Sequence, residues 1–193
     1  SIITISHERV LRRYNSTIYG NYRKAYLIDG ALTGVAMAAI MLVRDLISAI
    51  PMGAPENYIT EIVLGVGIFW SCYQYRKQLE GEKVSLKELM LLGLGIGVVS
   101  GVVYGLSVWL NGSCLNADLV AYYNQQRIAQ MEPADTSAEA KMAIEQVGRY
   151  TAGDWGFIAG FRSAVMSVLL AFFAALIFRT EKSPIREKNK KNR

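Results

Sequence analysis

Residues 89–110 read LMLLGLGIGVVSGVVYGLSVWL. The stretch holds 15 hydrophobic residues, five glycines, two serines and no charge in its 22 positions. As a helix rising 1.5 Å per residue it covers about 33 Å, close to the hydrocarbon thickness of a bilayer. Its hydrophobicity is continuous rather than alternating with period two, so it fits a lipid-crossing helix and not a barrel strand. Gly93, Gly97, Gly101 and Gly105 recur every fourth residue and fall on one helical face, where the backbone of another span, a second copy or a different protein can approach closely; Gly30 with Gly34 and Gly156 with Gly160 offer the same spacing and favour packing within the chain. The Gly-x-Gly-x-Gly run does not read as a nucleotide loop, because no strand precedes it and Val98 breaks the dinucleotide pattern.

Working outward, windows 27–47, 58–73 and 155–178 share this character, and the four windows together contain 60 hydrophobic residues in 83 positions. The chain-wide hydrophobic share is 52%, so only about 40 of the other 110 residues are hydrophobic and the chain alternates between two compositions. Such segregation predicts an all-α integral membrane protein with four transmembrane helices. The second window is short. Its 16 residues reach about 24 Å, so Asn57, Gln74 and Tyr75 must be drawn toward the interface or the helix must be shielded by its neighbours.

Lysine and arginine set the expected orientation. Of 21 in the chain, 16 fall in the first 26 residues, in the connection after the second window and in the tail from Arg179. The opposite connections carry Arg127, Lys141 and Arg149 among seven acids, with Arg44 at a membrane edge. Both termini are therefore expected in the cytoplasm. The net charge of +5 follows from these topology determinants, which also touch anionic lipid, and it does not call for a nucleic-acid partner.

Three regions follow: a basic amphipathic N-terminal segment at 1–26, a transmembrane domain at 27–178 and a basic cytoplasmic tail at 179–193. In the first, Val10, Tyr14, Ile18, Tyr22 and Tyr26 recur every fourth residue, which predicts a helix lying in the inner interface. The first apolar window is longer than a signal-peptide core and is expected to remain as an anchor. Ser85 with Glu88 forms a capping-box signature at the start of the third span. The outer connection, 111–154, predicts one amphipathic helix through Leu115, Leu119, Tyr122, Tyr123 and Ile128, a break at Pro133, and a second opened by Thr136 and Glu139. Tyr58, Trp109, Tyr150 and Trp155 form an expected aromatic belt. Cys72 and Cys114 lie at opposite membrane faces and cannot pair within one chain.

Charges inside the apolar windows are the exception to this pattern. Asp29 sits near the inner end of the first span, whereas Arg44, Asp45, Glu61 and Arg162 collect in the outer third with signs that cancel. Arg162 lies about 10 Å below the outer end of the fourth span, where a lone arginine costs a few kcal/mol, so it is expected to pair with Glu61 or Asp45. The four residues are candidates either for an internal tie or for a ligand site. No catalytic, cofactor-binding or metal-ligating set is legible. Asp29 and Asp45 are about 24 Å apart on one helix, and the one histidine, His7, lies in the N-terminal segment.

Tyr75-Arg76-Lys77, then Glu80-Gly81-Glu82 and Val84 to Glu88 leading into the glycine-rich span, the glycine-bearing first span and the acidic connection before a span ending at Arg179 make up an ordered pattern. From about Tyr26 to Lys182 the chain resembles an uncharacterised family of four-span inner-membrane proteins of Bacteroidota, a domain of unknown function. The resemblance implies a bacterial inner-membrane location and carries no activity or catalytic residue. Two functions are expected from different classes. The first is a non-enzymatic oligomeric or accessory membrane subunit that packs through Gly93, Gly97, Gly101 and Gly105, with membrane lipids and a second copy or another membrane protein as partners. The alternative is a small transporter or lipid-handling protein using the Arg/Glu cluster.

Overall fold

The computed structural model describes residues 22–47, 55–79, 84–116, 118–131 and 138–179, all helical apart from short turns. The expected interfacial helix before Tyr22, the opening Thr136 and the tail beyond Arg179 lie outside the described residues. So do the side chains of Arg44 and Asp45. The helices are α1 (Tyr22–Ile47), α2 (Pro55–Gln78), α3 (Leu86–Leu110), α4 (Asp118–Met131), α5 (Ala138–Gly148) and α6 (Ala152–Phe178).

Helix starts follow local hydrogen bonding. Ser85 takes the backbone N–H of Glu88 on its hydroxyl while its own N–H donates to the Glu88 carboxylate, 3.0 Å away. Thr151 and Asp154 repeat the arrangement at α6, a signature present in the sequence and missed in reading it. Each box satisfies backbone donors that the first turn leaves without partners. At its far end α3 continues as a π-helical turn, Asn111–Leu115, closed by the Asn116 N–H donating to the Asn111 carbonyl at 2.8 Å.

Two helices run past the apolar windows. Helix α1 takes in Tyr22 and Tyr26, the Tyr26 ring lying over Gly95 of α3. Helix α2 extends beyond the 16-residue second window to 24 residues. Three stretches, Lys24–Val43, Leu86–Leu115 and Ala152–Phe178, are long and apolar enough to cross a membrane; α2 is long enough but not apolar enough by the same measure. Thr60, Glu61, Ser71 and Gln74 within it lower its mean hydropathy.

The four long helices alternate in direction. Gly30 and Gly34 of α1 meet Ile96 to Val103 of α3 in ascending order, so these two helices are parallel. Gly93 faces Ala171 and Gly105 faces Gly156, so α6 runs against α3. Asp29 meets Ser71 and Thr33 meets Gly67, so α2 runs against α1. Both the start of α1 and the end of α6 therefore lie at the end of the bundle where α2 turns into α3. Helix α3 packs against α1 on one side and α6 on the other, with α2 closing the ring between α1 and α6.

Met37, Leu64, Ile68, Leu89, Leu92 and Ile96 fill the centre. Elsewhere small residues do the packing. Ser163, Ser167, Ala171, Ala174 and Ala175 of α6 are buried, and Ser167 and Ala171 meet the glycine face of α3. Their hydroxyls are satisfied within their own helix: Ser163 donates to the Ala159 carbonyl at 3.0 Å and Ser167 to that of Ala164 at 2.6 Å. Serine thus serves as a small residue that leaves no polar group orphaned, a necessity where no water is at hand.

Candidate functional site

Helices α4 and α5 pack on each other over the end of the bundle where α6 begins. Asn124 of α4 joins them to it. Only 8% exposed, its amide donates to the carbonyls of Tyr150 (3.0 Å) and Gly148 (3.4 Å), and its oxygen accepts the indole N–H of Trp155 at 2.7 Å. The rings of Tyr123 and Tyr150 lie 5.4 and 5.8 Å from that of Trp155. Of the residues of the expected aromatic belt, Tyr150 and Trp155 meet here and fasten the outer helices to α6.

Beneath this lid lies a cleft of about 670 Å³. Four helices contribute one face each at helical spacing: Tyr58 and Glu61 from α2, Tyr104 and Val108 from α3, Tyr123, Gln126, Arg127 and Met131 from α4, and Trp155, Ile158, Ala159 and Arg162 from α6. Ala143, Gln146 and Val147 of α5 complete the roof. Its size falls within the range of small-molecule sites, and its walls mix aromatic and aliphatic side chains with a few polar groups.

Two of the four expected polar residues meet in the cleft. Arg162 donates from Nη2 to Oε1 of Glu61, joining α6 to α2 across 101 positions of sequence. The carboxylate is the more enclosed partner, its side chain 17% exposed against 46% for the arginine. The contact is single rather than a two-pronged fork. Arg127, Gln126 and Gln146 were missed as lining residues; Tyr123 and Arg127, four apart, share one face of α4 and could have marked it.

The glycine stripe is occupied inside the chain. A Cβ on Gly93 would come within 2.6 Å of the Ala171 Cβ, one on Gly97 would overlap Ser167, and one on Gly101 would lie 2.6 Å from the Gly160 carbonyl oxygen. Of the partners the spacing allowed, α6 of the same chain lies on the stripe, because only residues without side chains allow these two backbones to close.

A second polar pair lies about 15 Å from the first along α2, toward the other end. Ser71 donates to Asp29 Oδ2 at 2.5 Å, and Asp29 is 8% exposed with Thr33 one turn further along α1. Sequence reading placed Asp29 but not Ser71, since one serine in an apolar helix carries no signal of its partner. Among the described residues no three His, Cys, Asp or Glu side chains gather into a metal-binding group.

A family model described as a protein of unknown function, DUF4199, matches residues 29–180, the bundle from Asp29 onward with its outer helices. No curated protein and no solved structure matches the chain. The matched span takes in roughly four fifths of the sequence and both polar pairs, and on it the chain belongs to the DUF4199 family of unknown function.

Proposed function

We propose that this protein is a non-enzymatic, four-span protein of the bacterial inner membrane that binds an amphipathic small molecule in the cleft under α4 and α5. The cleft is the observation that carries this function. Its walls combine aromatic and aliphatic side chains with Glu61 and Arg162 from the bundle and Arg127 from α4.

Helix α2 counts as the fourth span because its polarity is turned inward. Thr60, Ser71 and Cys72 are buried, while Ile59, Ile62, Val66, Trp70 and Tyr73 are exposed along one face. That pattern suits lipid outside and protein inside, and a large exposed apolar face is foreign to a soluble monomer. With four spans, the basic flanks at the N-terminal segment, the α2–α3 connection and the tail share the cytoplasmic side, and the cleft lies at the outer one.

An accessory subunit assembling through the glycine stripe is less well supported, since α6 already fills that stripe. Catalysis is likewise less well supported. Among the described residues the cleft has one carboxylate, Glu61, and it is engaged by Arg162.

Trp155 lines the cleft and reports on it. In a protein carrying Trp70→Phe and Trp109→Phe, titration with a water-soluble dihexanoyl glycerolipid should change Trp155 emission saturably. Filling the cleft with Ala159→Phe should abolish saturation. A linear, non-saturating change that is the same in both proteins would reflect simple partitioning and would sink the proposal.

A further inference from the structure

We infer that the cleft selects an uncharged amphiphile by a hydroxyl group, which donates to Glu61 and accepts from Arg162 at once. This rests on the binding function proposed above and specifies its ligand.

The two side chains line the cleft in contact with each other, Arg162 through Nη2 and Glu61 through Oε1. Such a bond uses one of a guanidinium's several N–H donors and one of a carboxylate's two oxygens. Arg162 stands ten residues into α6, about 15 Å from its start, and the Glu61 side chain is 17% exposed. At that depth bulk water is an expensive partner for the donors and the acceptor that the contact leaves over. A ligand that supplies both removes the cost.

Charge narrows the choice first. The pair is neutral, and the remaining charge of the lining, Arg127, is exposed on α4 and already engaged. An anion drawn to Arg162 meets the carboxylate bound to it, and a cation drawn to Glu61 meets the guanidinium. Either headgroup gives up its water for an attraction that the adjacent opposite charge offsets. An uncharged headgroup gives up less.

Hydrogen-bond type narrows it further. A carboxylate only accepts and a guanidinium only donates, so the two side by side are satisfied together by a group that does both. A hydroxyl does. An ester or ether oxygen only accepts, and it would leave Glu61 without a donor. Tyr58, Gln126 and Gln146 extend the lining with uncharged groups that likewise donate and accept, while Val108, Trp155 and Ile158 suit the apolar remainder of the molecule.

The test uses the full chain with Trp155 as its single tryptophan, titrated separately with dihexanoylglycerol, its O-methyl ether, dihexanoyl phosphatidic acid and a dihexanoyl lipid bearing a trimethylammonium head. The free alcohol should bind at least about tenfold more tightly than the ether, the size expected where an enclosed carboxylate loses a donor. It should also bind more tightly than either charged lipid. The double variant Glu61→Met/Arg162→Met removes both charges together and so leaves neither stranded; it should bind alcohol and ether equally. A difference that survives in this variant comes from the bulk of the added methyl and overturns the role of the hydroxyl. Equal, saturable binding of alcohol and ether by the unsubstituted pair overturns hydroxyl selection and leaves the cleft as a binding site. Tighter binding of a charged lipid overturns the preference for an uncharged head. Saturation by none of the four removes both proposals.

Discussion

Gly105 and Gly156 are reciprocal: a Cβ placed on either would stand 2.6 Å from the carbonyl oxygen of the other. Contact of this kind brings the backbones of α3 and α6 together without any side chain between them. Dispersion and weak Cα–H···O contacts then replace the hydrophobic drive that is missing between helices in lipid.

The glycine face should therefore control folding rather than assembly. Gly97→Ala drives a methyl into Ser167 and is expected to destabilise the protein by about 1–3 kcal/mol, the usual cost of overpacking. Gly65→Ala is the matched control, since its new methyl would meet Leu170 at an ordinary 3.6 Å and should be close to neutral. Thermal unfolding in detergent reads both. If Gly97→Ala changes oligomer size but not melting temperature, the stripe serves assembly after all.

The Arg162–Glu61 pair should show strong coupling. Glu61→Gln leaves a guanidinium facing the cleft alone and should cost about 1–3 kcal/mol, less than a fully buried pair because Arg162 is partly exposed. Replacing Arg162 as well should recover part of that loss. A double-mutant cycle by denaturant unfolding measures the coupling, and strict additivity of the two variants would show that the pair contributes nothing.

At the other end of the bundle Ser71→Ala should cost about 1–2 kcal/mol by removing a hydrogen bond to an enclosed carboxylate. Asp29→Asn keeps an acceptor for Ser71 and should cost less than Asp29→Leu, which keeps none. The same unfolding measurement ranks the three.

The lid depends on one amide. Asn124→Leu strips the Trp155 indole of its acceptor and the Tyr150 carbonyl of its donor, so backbone exchange in 118–131 and 138–148 should rise by about tenfold or more while α3 and α6 stay protected. Hydrogen exchange with mass spectrometry resolves the two regions. Equal loss of protection throughout would mean that lid and bundle unfold together.

Orientation has a thiol test with a structural condition. Cys114 is exposed but Cys72 is fully buried, so silence from Cys72 says nothing about its side of the membrane. A Cys72→Ser protein should be labelled at Cys114 by an impermeant maleimide added outside spheroplasts. Adding Cys114→Ser and Arg179→Cys should give a protein labelled only after the cells are opened. The reverse pattern would place the lid in the cytoplasm.

The sequence was informative where a feature repeats and less so where it depends on a partner. Five glycines in residues 89–110 announce close packing and Gly156 with Gly160 share their spacing, yet Ser167 and Ala171, which complete the facing surface, are ordinary small residues until placed. The Ser85 and Glu88 cap and the two outer helices were legible because caps, Pro133 and amphipathic spacing are local signals. The second apolar window lies between Asn57 and Gln74, because apolar composition does not register the polar turns that carry α2 on to Pro55 and Gln78. The cleft was half visible: Glu61 and Arg162 stood out against apolar surroundings, whereas Arg127 and Gln126 were inconspicuous in a polar connection whose fold over the bundle no spacing reveals.

The separation of Glu61 from Arg162 also has a consequence in time. At a synthesis rate of about 5–20 residues per second, the 101 positions between them take on the order of 5–20 s to make. Throughout that interval Glu61 is without Arg162, the partner it meets in the finished fold, and α2 is the least apolar of the four long helices. A nascent chain cut short before α6 therefore holds an acid that only the last helix can neutralise in this way.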